Sequence, residues 1–202
     1  MNLEQKIKDF QNIYYHYSRK TWEWGTFIEK YDCKSICEIG VRDGRNFKKM
    51  IKHDSTLAVA VDSWIDDGIL ARNDKHYAQK KLDNQYNELK ELFKDKPFVK
   101  IIRDYSFNAV KQFSDECFDF IYIDADHTFK GCYQDIIDWY PKVKKGGILC
   151  GHDYKAVRNI RTKEGEILKL KYGVIEAVDK FTKENNLEFF ILKPIVWAII
   201  KK

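Results

Sequence analysis

The stretch Phe118–Gly131, FDFIYIDADHTFKG, begins as an apolar run and ends in Asp124, Asp126 and His127. The apolar part reads as a buried strand. The polar end has three readings: it holds a metal, it moves a proton, or it only solvates the end of a strand.

The same grammar recurs along the chain. SICEIG (35–40), TLAVAVDSW (56–64), FVKIIRDYS (98–106) and GILCGHDY (147–154) are further strand-like runs. Helical stretches separate them: RNFKKMIKH, a long helix near 74–94, NAVKQF, and CYQDIIDWYPKV closed by KKGG. Residues 154–172 read as basic and irregular, and GVIEAVDKFTKENN as a helix. LEFFILKPIVWAII reads as two strands broken at Lys193-Pro194. Upstream, 3–17 and 21–31 are expected helical segments.

Strands that alternate with helices predict a parallel sheet with helices on both faces. The last two strands have no helix between them, so that pair is expected antiparallel. The expected fold is therefore α/β: a Rossmann-like, doubly wound sheet of about seven strands. Ligands in such sheets bind outside the carboxyl ends of the strands. Those ends carry Glu38 and Gly40, then Asp62, then Asp104 and Ser106, then Asp124 to His127, and finally His152-Asp153. Solvation alone does not account for so regular a rim.

The 202 residues suffice for one sizeable core. With 44% hydrophobic and 33% charged residues the composition is that of a folded globular protein. The net charge of +5 comes from dispersed lysines, without an arginine-rich arm, so nucleic acid is not an expected partner. The five cysteines are odd in number and form no C-x-x-C pair, which argues against a disulfide framework or a structural zinc site. Cys150 reads as a small buried side chain. No signal-peptide pattern opens the chain, and no apolar run reaches the ~20 residues of a membrane span. A cytoplasmic location without membrane contact is the expectation.

EIGVRDG places Glu38, Gly40 and Gly44 at the first strand end, and Asp62 follows Gly40 by 22 residues. Glycine there lets a ligand approach the main chain, and an acidic group at the next strand end can accept from both ribose hydroxyls. A nicotinamide cofactor is disfavoured. Its fingerprint seats a pyrophosphate on the helix N-terminus, and Glu38 would repel phosphate there. S-adenosylmethionine carries no phosphate and is cationic, which suits a carboxylate.

These motifs resemble those of class I S-adenosylmethionine-dependent methyltransferases. EIGVRDG is similar to the family's first motif and AVAVDSW to its second. FDFIYIDADHTFKG, WYPKVKKGGILCGHDY and GVIEAVDKF narrow the resemblance to small-molecule O-methyltransferases, the branch with macrolide-sugar and cephalosporin-pathway enzymes. The resemblance covers 35–200, weakest over 64–97, and 1–34 poorly. It divides the chain into an N-terminal helical segment, 1–34, expected as substrate cap or dimer contact, and a methyltransferase domain, 35–202. It implies Glu38 and Gly40 around the methionine part, Asp62 on the ribose, and Ser106 with Asp104 at the adenine edge.

Asp124, Asp126, His127, His152 and Asp153 are five candidate ligand groups from two strand ends. Oxygen-rich sites favour Mg²⁺ or Ca²⁺, while imidazole also suits Mn²⁺, Fe²⁺ or Zn²⁺. In metal-dependent relatives the resemblance implies Asp124, His152 and Asp153 as ligands. The His-Asp pair departs from the Asp-Asn or Glu-Asp usual there. It implies His127 as general base, since an imidazole titrates near neutral pH. Asp126 is an equal candidate for capping the next helix.

The expected activity is O-methylation of a small hydroxylated acceptor, a sugar or glycoside, with Mg²⁺ or another divalent cation assisting. An RNA or protein methyltransferase and a non-catalytic cofactor-binding module are the competing readings. Lys155, Arg158 and Arg161 are candidates to meet an anionic acceptor, with a solvated loop as the alternative. The polar stretch 62–79 is a candidate lid. Tyr14, Tyr17 and Trp22 are core or interface candidates, and a homo-oligomer is compatible with all of this.

Overall fold

The computed structural model describes residues 4–6, 8–9, 24–66, 75–155, 157–161, 167–193 and 195–202. Its centre is a seven-stranded sheet in the order β3-β2-β1-β4-β5-β9-β8. The strands are β1 (Ser35–Ile39), β2 (Leu57–Asp62), β3 (Val99–Arg103), β4 (Phe118–Ile123), β5 (Val143–Gly151), β8 (Phe189–Lys193) and β9 (Val196–Ile200). β1 to β5 pair in parallel, and β9 lies antiparallel between β5 and β8. The expected doubly wound sheet with its antiparallel final pair is what the chain forms.

Burial on both faces explains why the central strands read as unbroken apolar runs. Side chains alternate across the sheet. Ile36, Phe120 and Tyr122 join one core cluster, with Trp24, Phe27 and Ile28 of helix α1 (Trp24–Lys30) and Phe47 of α2 (Arg45–Met50). Cys37, Ile39, Ile121 and Ile123 join the other, with Trp139 of α5 (Phe129–Trp139) and Val178 and Phe181 of α6 (Val174–Glu184). Val174, Ala177, Val178 and Phe181 are buried at the three- and four-residue spacing of one helix face. Trp24 contacts the rings of Phe120 and Tyr122, so the end of the N-terminal segment lies in the domain's core. Its expected capping role rests on residues 10–23, including Tyr14, Tyr17 and Trp22, which lie outside the described residues, as does most of the helix expected at 3–17.

The long expected helix is α3 (Lys75–Phe93), and a short α4 (Ser106–Ala109) runs into a 3-10 turn, Val110–Gln112. Two elements differ from the sequence reading. β5 begins at Val143 and takes KKGG into the strand. The register shift between Phe118 and Phe120 absorbs the extra residues, and Gly146 bends at φ 72°. The stretch read as irregular holds a separate antiparallel pair, β6 (Val157–Arg161) and β7 (Ile167–Lys171). Its strands are short and rich in charge, which hid the alternation of VRNIR and ILKLK. The middle of the expected lid, 67–74, lies outside the described residues. Among the described residues no helix is long and apolar enough to cross a membrane.

Candidate active site

Each parallel strand passes its ladder one step beyond its end. The Gly40 amide donates to Val61 O, Asp104 to Asp62 O, Asp124 to Ile39 O and His152 to Ile123 O, at 2.8 to 3.0 Å. The rim expected from sequence is therefore a single edge held by backbone pairing. Gly40 has φ 86°, and a Cβ there would fall 2.2 Å from Asp124 O. Only glycine lets the first loop and the end of β4 approach this closely. Gly44 precedes α2 with φ 72°, and a Cβ would meet Leu89 at 2.5 Å.

Glu38 is 1% exposed, and its Oε2 has no hydrogen-bond partner. Burial, then the neighbouring Asp124 charge, pushes its pKa well up, against hydrogen bonds from Asn46 and the Phe47 amide. A buried carboxyl with an orphaned oxygen is fitted to receive a cationic group. Asp62 accepts from the Arg42 amide on Oδ2 at 2.8 Å and from the Trp64 amide on Oδ1 at 2.7 Å. A carboxylate has about four acceptor sites, so a diol can still be met. Asp104 accepts from the Tyr105 amide at 2.7 Å and from Asn108 at 3.1 Å. Ser106 donates to Asp135, a buried group of α5 that sequence reasoning missed. Burial lifts the Asp135 pKa to about 7 despite this hydrogen bond.

At the other half of the rim, side chains from β4 and β5 meet. His127 Nε2 lies 2.7 Å from Asp153 Oδ2 and 3.4 Å from Asp124 Oδ1. His152 Nδ1 lies 3.1 Å from Asp153 Oδ1 and 3.9 Å from Asp124 Oδ1. One ligand atom each from Asp124, His152 and Asp153 can be chosen so that all lie within 4.8 Å of one another. This O,N,O donor set fits a hard or borderline divalent cation. Asp153 is nearly buried at a left-handed φ of 57°. Burial raises its pKa, but His127, His152 and Lys155 overcome that and hold it well below the carboxylate range. Burial of the His127 ring works against its charge, yet Asp124 and Asp153 outweigh it and hold the pKa up at about 9.

Tyr172, unread from sequence, stacks on His127 at 4.8 Å and 26°, and the Gly173 amide donates to His127 O at 2.8 Å. Its signal is absent from the local sequence, because Tyr172 lies 45 positions beyond His127. Lys155 pairs with Asp153 and lies 5.3 Å over the Tyr172 ring, so it is committed to the cluster. Arg158 and Arg161 stand on β6, and their side chains fall outside the described residues. Asp126 stands apart from the cluster. It accepts from the Thr128 amide at 2.8 Å and the Thr128 hydroxyl at 3.1 Å, and Thr128 caps α5. A Cβ on Gly131 would fall 2.1 Å from Asp126, which explains the glycine.

The fold recurs in solved structures. The O-methyltransferase NovP superposes with a TM-score of 0.59 at 13% identity, covering 97% of this chain and 80% of that one. A putative caffeoyl-CoA O-methyltransferase from Staphylococcus aureus gives 0.61 at 14% identity, covering 100% and 93%. The S-adenosylhomocysteine-bound methyltransferase PaMTH1 of Podospora anserina gives 0.57 at 15%, covering 97% and 87%. No protein of curated function matches the sequence. The family model described as a methyltransferase domain matches residues 37–154, which span the first loop and both halves of the rim. The chain belongs to this methyltransferase domain family and is an S-adenosylmethionine-dependent methyltransferase.

Proposed function

We propose that the chain transfers the methyl group of S-adenosylmethionine to a hydroxyl of a small acceptor, a sugar or glycoside. The observation that carries this reading is the cluster of Asp124, His127, His152 and Asp153, beside the loop that touches Asp124 through Gly40. Glu38, Gly40, Gly44, Asp62, Asp104 and Ser106 receive the cofactor. Glu38 meets its cationic amino-acid end, Asp62 the ribose diol, and Ser106 with Asp104 the adenine edge. The resemblance of FDFIYIDADHTFKG to sugar O-methyltransferases supports the acceptor class.

Methyl transfer needs an ionised nucleophile placed in line with the methyl group, and the rest is positioning. Asp124, His152 and Asp153 would hold a divalent cation. When bound, the ion supplies a Lewis acid that eases ionisation of an acceptor hydroxyl. His127 takes the hydroxyl proton at Nε2. With its pKa at about 9 the ring is cationic at neutral pH while Asp124 and Asp153 face it alone. Engaging those two carboxylates elsewhere removes what holds the proton, and burial then favours the neutral base. Tyr172 fixes the ring plane.

The test is release of S-adenosylhomocysteine with a panel of sugars, glycosides and catechols, before and after EDTA treatment. Turnover of a hydroxylated acceptor that EDTA abolishes and Mg²⁺ or Mn²⁺ restores is expected. Full activity after EDTA would remove the metal and leave His127 as base. Turnover confined to RNA or protein acceptors would overturn the acceptor class.

A further inference from the structure

Asp62 does not stand alone at the end of β2. The Arg42 amide donates to its Oδ2 at 2.8 Å, and the Trp64 amide donates to its Oδ1 at 2.7 Å. The Trp64 indole N–H then donates to Arg42 O at 2.8 Å, closing a ring of three residues. Arg42 and Trp64 both hold left-handed backbones, at φ 52° and 45°. A bulky residue adopts that region only where its surroundings over-determine it, and such sites cluster at ligand clamps. The surroundings are visible. Trp64 is fully buried, its ring lies 5.1 Å from Tyr86, and its carbonyl accepts from Gln79 at 2.9 Å and from Arg103 at 3.1 Å.

We propose that Trp64 is a positioning residue for the cofactor's ribose, tying the glycine loop to Asp62 so that the carboxylate is pre-oriented for a vicinal diol. The ring uses one acceptor site on each Asp62 oxygen and leaves one free on each. Two fixed acceptors match two adjacent hydroxyls without the cost of ordering the side chain on binding. The loop that bears Gly40 and the strand end that bears Asp62 then move as one body. This inference rests on the reading of Asp62 as the ribose-binding group.

The test compares S-adenosylhomocysteine with its 2′,3′-dideoxyribose analogue by calorimetry on the full chain, in wild type and Trp64→Phe. Phenylalanine keeps an apolar ring and removes the indole donor together with part of the buried ring volume, and the dideoxy analogue controls for that lost volume. The wild type is expected to prefer the diol strongly. In Trp64→Phe, affinity for S-adenosylhomocysteine is expected to fall about threefold to tenfold, the fold-change of one hydrogen bond. Affinity for the dideoxy analogue should hold. An equal loss for both ligands would make Trp64 merely structural and overturn the proposal. A wild type blind to the diol would instead overturn the ribose reading of Asp62, and Trp64's role with it. If Trp64→Phe fails to fold, the wild-type Trp64 indole resonance decides. It should exchange slowly with solvent and shift on binding S-adenosylhomocysteine more than on binding the analogue, and equal shifts would overturn the proposal.

Discussion

The two halves of the rim are built from different materials. At β1 and β2 the groups proposed to meet the cofactor are held by main-chain amides, a glycine turn and the Asp62–Arg42–Trp64 ring. At β4 and β5 the groups proposed for the acceptor side are held by side-chain pairing: His127 between Asp124 and Asp153, Lys155 on Asp153, and His152 Nδ1 at 3.1 Å from Asp153. Backbone hydrogen bonds do not titrate and are little affected by salt. Ion pairs shift with proton and cation concentration. A half that always binds the same ligand suits the first construction, and a half that handles protons suits the second.

The sharpest way to break this division is Asp124→Ala. It should lower kcat by about 10²–10⁴-fold, the range for disabling a positioned base, here His127, which Asp124 faces at 3.4 Å. Affinity for S-adenosylhomocysteine should stay within a few-fold, read by calorimetry. A parallel loss of cofactor affinity would show that the two halves are not separable.

Asp62→Ala probes the other half. It should weaken S-adenosylhomocysteine by roughly 10- to 100-fold, as expected for charge-assisted hydrogen bonds. Affinity unchanged from wild type would remove Asp62 from the cofactor site.

The charged half should also register in stability against pH. The His127 pKa is raised from 6.5 to about 9, so its contribution is complete below pH 6.5 and is lost as pH rises through about 9. With the ring partly screened by solvent, the contribution is on the order of 1–3 kcal/mol. The metal-free melting temperature should fall by roughly 2–10 °C across that window. His127→Gln should flatten the fall, and a wild-type curve already flat there would refute the ion-paired state.

Asp135 registers in a lower pH window. Its pKa is raised to about 7, so its contribution is present below its unfolded value and is lost as pH rises through about 7. Asp135→Asn should remove that lower-pH slope, read by thermal melts from pH 4 to 7. It should leave the His127 slope intact, since the two groups belong to different halves.

Much of this was legible in the chain. The apolar runs were readable because strands buried on both faces need nothing but apolar residues. The rim was readable because each run ends in a polar or glycine residue. Gly40 and Asp62 carried their own spacing. The β6–β7 pair was not legible, since charged residues filled its alternation. Trp64 was not legible as a site residue, because its indole donor reaches Arg42, 22 residues upstream. Tyr172 and Asp135 likewise act on partners far along the chain.

By itself, then, the sequence determined the order of the central-sheet strands with their helices and the chemistry at each strand end, because both depend on local patterns of two to seven residues. The tertiary structure alone decided which of those ends face one another. It sorted Asp126 to the cap of α5 and Asp124 to the cluster, seated Tyr172 on His127, and closed Trp64 onto the glycine loop. Those contacts depend on sheet order and on left-handed backbones at Arg42, Trp64 and Asp153, which packing imposes and no local pattern announces.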